Sequence, residues 1–167
     1  MAGSRGTATR RLWLMRHGHA GFAASDRERP LTAAGQAEVR RLGAAIAGRG
    51  IERVLCSPAV RTRQTVEALH LSVPSTVVEA LYNCSAGRIL TALASLPAHV
   101  GSALVVGHYP GIPSLAHQLA DRRTSASAAL GQLTGPFLPA TLVELEFTGA
   151  WSDLHVARLV AVHRPPA

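Results

Sequence analysis

Short runs of consecutive apolar residues alternate along this chain with longer stretches in which apolar residues recur every three or four positions. Leu12-Trp13-Leu14-Met15, Arg53 to Cys56, Thr76-Val77-Val78 and Ala103 to Val106 are the short runs, each of the length of a buried strand. Thr32 to Arg49 places Ala37, Leu42, Ala45 and Ile46 at helical spacing, with Thr32 as N-cap and Gly50 as the stop. Ser57-Pro58 predicts a second helix running to about His70, with Ser57 as cap and Pro58 at the first helical position. Ser85 to Leu96, closed by Pro97, and Gly111 to Ala120 predict two more. Arg122 to Pro139 is rich in Ser, Thr, Gly and Pro and predicts a long surface loop. Thr141 to Phe147 alternates apolar and polar, as does part of Asp153 to His163, and Gly149 lies between them. That pattern predicts a terminal antiparallel hairpin.

Apolar strands interleaved with helices imply βαβ units, hence an α/β fold. The expected architecture is a three-layer α/β/α sandwich with a mostly parallel central sheet and a C-terminal antiparallel hairpin. Met1 to Arg10 shows no sustained periodicity and is expected to be a flexible N-terminal tail, and residues 11–167 to form a single domain. In such folds ligands bind beyond the carboxyl ends of the strands.

Composition narrows the class. The 167 residues are 47% hydrophobic and only 16% charged, which argues against disorder. Aromatics make up 4%, so Ala, Leu, Val and Ile must build the core. Cys56 and Cys84 cannot form a disulfide framework and neither has a CxxC partner for zinc. No apolar run approaches the roughly 20 residues of a membrane span, and the N-terminus does not read as a secretory signal, so the expected location is cytoplasmic, with no membrane partner. All 17 basic residues are arginine, giving a net charge of +7. The charge suggests attraction to anions. Without interleaved aromatics or a recognisable module it does not point to nucleic acid.

The polar residues gather where the fold class puts ligands. The first strand ends in Arg16-His17-Gly18, the second in Ser57-Pro58 with Arg61 in the following helix, the fourth in Gly107-His108. Glu79 and Tyr82 follow the third. Two arginines, two histidines and a glutamate at one sheet edge suit a phosphoryl group, whose charge is spread over its equatorial oxygens during transfer. Fixed arginines and an imidazole can neutralise that charge, and a helix N-terminus near Ser57 to Arg61 adds N–H donors. Gly18 would let the backbone approach an oxygen closely. A neutral imidazole is also a good nucleophile toward phosphorus, provided its other nitrogen donates to a carbonyl. His70, His99, His117, His155 and His163 end no predicted parallel strand and read as ordinary surface or satisfied residues. Arg63, two positions from Arg61, reads as solvated. The His17-x-His19 pair lacks a nearby carboxylate, so no metal or other cofactor is expected.

Four segments resemble the histidine phosphatase superfamily, with its phosphoglycerate mutase-like fold. They are Leu14-Met15-Arg16-His17-Gly18, Arg29-Pro30-Leu31-Thr32 with Gly35, Ser57-Pro58-Ala59-Val60-Arg61-Thr62-Arg63-Gln64-Thr65, and Val105-Val106-Gly107-His108. The resemblance covers about Leu12 to Ala120. It implies that His17 accepts the phosphoryl group and that Arg16, Arg61 and His108 form the phosphate pocket, with Gly18, Arg29 and Ser57 as further binding positions. Only 46 residues separate Arg61 from His108, so the chain lacks the long insertions of the mutases and most resembles the SixA-type phosphohistidine phosphatases of bacteria. An uncovered site would admit a phosphohistidine carried on a protein such as a histidine phosphotransfer domain. His19 and Tyr109 depart from that group, which often carries an acidic residue and an asparagine at those places.

Superfamily members that cleave alcohol esters use a carboxylic acid on the leaving oxygen. Glu79 is the candidate here, with Asp26 and Glu28 as alternatives. A protonated phosphohistidine ring leaves as neutral imidazole and demands less of such an acid. The expected function is therefore removal of phosphate from protein phosphohistidine through an enzyme phosphohistidine. The rivals are a small-molecule phosphomonoesterase acting on a sugar phosphate or nucleotide, and a non-catalytic phosphate-binding adaptor.

Overall fold

A computed structural model describes residues 8–165. Six strands form one sheet, in the order β3-β2-β4-β1-β5-β6. They are β1 (Thr9–Arg16), β2 (Arg53–Cys56), β3 (Ser75–Val77), β4 (Ser102–Gly107), β5 (Leu142–Thr148) and β6 (Arg158–His163). The first four are mutually parallel, whereas β5 runs antiparallel to both β1 and β6. The helices are α1 (Ala33–Ile46), α2 (Val60–Leu69), α3 (Ala86–Ala94), α4 (Gly111–Leu119) and α5 (Ser127–Leu133). The expected mixed α/β sandwich with a C-terminal antiparallel pair is the observed one.

Alternation along β1 divides the core between the two faces, since successive side chains point opposite ways. Leu12 and Leu14 join the cluster built with Ile89 and Leu93 of α3, Leu115 of α4 and Leu133 of α5. Trp13 and Met15 join the cluster built with Val39 and Ile46 of α1 and Leu69 of α2. The edge that carries the site is held by backbone bonds. The Arg16 N–H donates to the Thr141 carbonyl at 3.1 Å and the His17 N–H to the Gly107 carbonyl at 3.1 Å, so the end of β1 is fixed between β4 and β5.

Several expectations need correction. β1 begins at Thr9, inside the stretch expected to be tail, because the Arg10 side chain is buried and donates to the carbonyls of Ala98 and Val100. The rest of that expected tail, residues 1–7, lies outside the described residues. Thr32 caps α1 as predicted, its hydroxyl accepting the Gly35 N–H at 3.0 Å. Ser57 does not cap α2; Ala59 stands at that position, because the Ser57 hydroxyl is engaged by His108. The expected loop from Arg122 to Pro139 contains α5, which buries Ala129 and Leu133. A helix of seven residues between Ser- and Pro-rich flanks leaves little periodicity to read.

The alternation of β5 also misleads. The strand lies between β1 and β6 with helices over both faces, and Glu144 is 1% exposed. Its carboxylate pairs with Arg49 at 2.9 Å and Arg11 at 3.6 Å, and the His163 ring lies 3.5 Å away. Gly149, in the link to β6, has φ of +108°, a conformation that favours glycine.

Candidate active site

His17 and His108 follow the adjacent strands β1 and β4, and their rings stand 5.5 Å apart at 61°. Both are buried. His17 Nδ1 lies 2.7 Å from the Gly18 carbonyl. A carbonyl only accepts, so Nδ1 carries the proton and the lone pair is on Nε2. Arg61 Nε donates to that Nε2 at 3.2 Å. Burial first, then the charges of Arg61, Arg16 and Arg29, push the His17 pKa down to about 4.

His108 is held in the complementary tautomer. A guanidinium only donates, so Arg61 Nη2, 3.2 Å away, makes Nδ1 the acceptor. Nε2–H then donates to the Ser57 hydroxyl at 2.7 Å. Burial, followed by the Arg61 charge, pushes the His108 pKa down to about 3. Arg61 on the first turn of α2 therefore faces both imidazoles and is 3% exposed.

The remaining faces of Arg61 are taken by Asp26, in a short 3-10 turn (Asp26–Glu28). Arg61 Nη1 donates to the Asp26 carbonyl at 2.6 Å and Nη2 to its carboxylate at 3.1 Å. Tyr82 donates to the same carboxylate oxygen at 2.6 Å, and Arg29 reaches the other at 3.3 Å. The Tyr82 hydrogen bond and the arginines hold the Asp26 carboxyl far below its ordinary value. Asp26 is therefore a fixed negative charge rather than a proton donor at neutral pH.

Arg16 completes the cluster. Its Nη1 donates to the Phe137 carbonyl at 2.8 Å, its guanidinium lies 5.2 Å from the Tyr109 ring centroid, and its Nε is buried without a partner among the described residues. That unpaired donor beside the two imidazoles suits an anion.

The other singled-out residues fall outside this cluster of side chains. The Gly18 N–H is not free for a phosphate oxygen, because it donates to Thr65 Oγ1 at 3.0 Å. Glycine is required there by packing, since a Cβ would meet Val39 Cγ2 at 2.8 Å. Arg29 ties its loop together through the Gly21 carbonyl at 2.8 Å. Glu79 pairs with Arg27 at 2.5 Å, and 72% of its side chain is exposed. Arg27 in turn covers the Tyr82 ring, whose edge meets His108, so Glu79 stands in the outer ring around the imidazoles. Exposed His19 bonds the Thr32 hydroxyl at 3.2 Å.

Two residues of the third motif have a role that residue-by-residue reading did not find. Gln64 accepts the Leu31 N–H at 2.7 Å, and Thr65 accepts the Gly18 N–H. Consecutive residues of α2 thus fasten the Arg29-to-Thr32 segment and the Arg16-to-Gly18 segment to the helix that presents Arg61. Their place in the motif, one helical turn past Arg61, was the only available signal.

Two buried imidazoles in defined tautomers, bridged by one arginine at the carboxyl edge of an α/β sheet, define a phosphoryl-transfer type of site. The comparisons agree. The model of the histidine phosphatase superfamily (branch 1) matches residues 12–95. The phosphohistidine phosphatase SixA of Escherichia coli K12 is 38% identical over 122 residues, covering 68% of this chain and 76% of that protein. A protein from Nakamurella multipartitia, provisionally assigned as phosphohistidine phosphatase SixA, superposes with TM-score 0.88 at 36% identity, over 97% of this chain and all of that one. A protein histidine phosphatase SixA complexed with tungstate superposes with TM-score 0.75 at 30% identity, over 93% of this chain and 97% of that one. The chain belongs to the histidine phosphatase superfamily and is a phosphatase with SixA-like neighbours.

Proposed function

We propose that this phosphatase hydrolyses phosphohistidine carried on a protein, through a phosphohistidine on its own His17. The observation that carries the reading is the tautomer of His17, whose Nε2 lone pair faces Arg61 while Nδ1 donates to Gly18. As the phosphoryl group enters, Arg61 and Arg16 turn donors to its oxygens and His108 contributes a further N–H once protonated. The Nε2 lone pair attacks phosphorus, the substrate's P–N bond breaks, and its electron pair stays on the departing imidazole. Water then attacks the enzyme phosphohistidine, the P–Nε2 bond breaks, and phosphate leaves with His17 restored.

The preference for a P–N bond rests on the absence of a poised acid among the described carboxylates of the site. Asp26 is held ionised and Glu79 is an exposed ion-paired residue. A leaving imidazole brings its own proton, whereas an alkoxide leaving group needs one from the enzyme. Glu79 is assigned the acid role only for ester substrates, where its solvent-exposed pair with Arg27 can open. Ser57 positions His108, and Arg29 acts through Asp26 and the loop from Gly21. Cys56 and Cys84 are free thiols, which supports the cytoplasm as the working compartment.

The test is a panel of kcat/KM values on a phosphorylated histidine phosphotransfer domain, sugar phosphates and nucleotides. The phosphoprotein is expected to lead by about tenfold or more. A sugar phosphate or nucleotide turned over faster would establish a small-molecule phosphatase instead.

A further inference from the structure

The described residues expose five large apolar side chains, Phe22, Val77, Tyr109, Leu138 and Val156. Single exposed apolar residues are ordinary, but their placement here is not even. Val77 ends β3 and Tyr109 follows β4, so both lie at the carboxyl edge of the parallel strands. Leu138 lies at the same edge, just before β5, where Ala140 donates to the carbonyls of Arg16 and His17. Phe22, 98% exposed, follows Gly21, whose carbonyl holds Arg29. Four of the five thus surround the two imidazoles, and Val156, before β6, is at the opposite edge.

Three of the four border the cluster, one by contact and two as chain neighbours of residues that touch it. Tyr109 carries its ring over Arg16, Leu138 adjoins Phe137, whose carbonyl accepts from Arg16, and Phe22 adjoins the Gly21–Arg29–Asp26–Arg61 chain of contacts. An open groove of about 680 Å³ starts at Tyr109 and runs between α4, at Pro113 and His117, and the segment Gly135 to Phe137. Two of its lining residues, Tyr109 and Phe137, also contact Arg16.

We propose that Phe22, Tyr109 and Leu138, with this groove, form the docking surface for the protein that carries the phosphohistidine. The proposal rests on the phosphoprotein reading above. Its partner is a folded protein whose surface is apolar around the phosphorylated side chain and acidic farther out. The apolar part matches the three side chains, and the acidic part matches a chain of net charge +7. A small phosphate ester bound at Arg16 and Arg61 gains nothing from Phe22 and Leu138, because they stand outside the cluster that grips the phosphoryl group. Binding energy from such remote contacts is what separates a protein substrate from a small one.

The experiment compares two P–N substrates, one carried on a protein and one with no protein attached, each variant being referred to wild type on the same substrate. One is a histidine phosphotransfer domain phosphorylated with phosphoramidate, the other phosphoramidate itself. F22A, L138A and the double variant are measured on both, with V156A as the control at the far edge. Neither Phe22 nor Leu138 is buried, and matching melting curves confirm that the variants fold. The double variant is expected to lose about tenfold or more in kcat/KM on the phosphoprotein, through KM, and to stay within about twofold of wild type on phosphoramidate. V156A is expected to match wild type on both. Unchanged turnover of the phosphoprotein, or equal losses on both substrates, overturns the docking surface while leaving the substrate reading in place. A wild-type enzyme that consumes phosphoramidate but leaves the phosphoprotein intact overturns the substrate reading and the docking surface together.

Discussion

Arg61 Nε donates to His17 Nε2 across 3.2 Å, and its Nη2 reaches His108 Nδ1 across the same distance. One guanidinium therefore defines the acceptor nitrogen of both histidines. It can do so because α2 begins immediately after β2, and the Gln64 and Thr65 straps fix that helix against the first two motif segments. Burial, with the Arg61 charge beside both rings, keeps both imidazoles neutral, which is what a nucleophile needs.

The pH dependence follows with a definite sign. His17 must be unprotonated to attack, and its pKa is about 4 where an ordinary imidazole has 6.5. The acid limb of kcat/KM due to this group is expected near pH 4, with activity persisting through pH 5 to 6. Imidazole ¹⁵N NMR checks it directly, since His17 and His108 should both stay neutral at pH 5.5. Stability follows the same groups. The folded pKa values lie below the unfolded ones, so the contribution is full above about pH 6.5 and is lost as pH falls through 4 and 3.

The Asp26 carboxylate is a negative charge 3.1 Å from Arg61 Nη2. If Arg61 binds the phosphoryl group as proposed, Asp26 competes with phosphate for it. D26N keeps an acceptor for Tyr82 and Arg61 but removes the charge. The inhibition constant of inorganic phosphate is expected to fall about three- to tenfold, or about 1 kcal/mol. A weaker inhibition would mean that Asp26 chiefly positions Arg61.

The acid role proposed for Glu79 would separate ester from phosphoramidate chemistry. E79Q is expected to leave phosphohistidine hydrolysis within about threefold of wild type and to lower aryl phosphate hydrolysis by about tenfold or more. Equal losses on both substrates would remove the leaving-group argument for P–N preference.

The sequence showed the fold class because short apolar runs such as Leu12 to Met15 and Ala103 to Val106 alternate with helical patterns, with Thr32 and Pro97 marking helix ends and Gly149 the turn of the terminal hairpin. His17, Arg61 and His108 were legible because each follows a strand at the edge where α/β folds bind ligands. Interactions between distant residues were not legible. Nothing in the pattern announces that Ser57 serves His108 rather than the helix it precedes, or that Asp26 and Tyr82 meet across 56 positions. Nor does local alternation distinguish Glu144, buried beneath three basic side chains, from an outward-facing strand residue. A seven-residue helix such as α5 disappears among Ser, Gly and Pro for want of turns.

The central claim is that His17 carries the phosphoryl group on Nε2. Rapid quenching of the enzyme with a ³²P-labelled phosphohistidine protein, followed by phosphoamino-acid analysis, tests it. The account predicts an acid-labile, base-stable label on His17, bonded to Nε2 because Nδ1 is held by the Gly18 carbonyl, and neither label nor turnover in H17A. Label on Nδ1 or on another residue, or undiminished turnover in H17A, would contradict it.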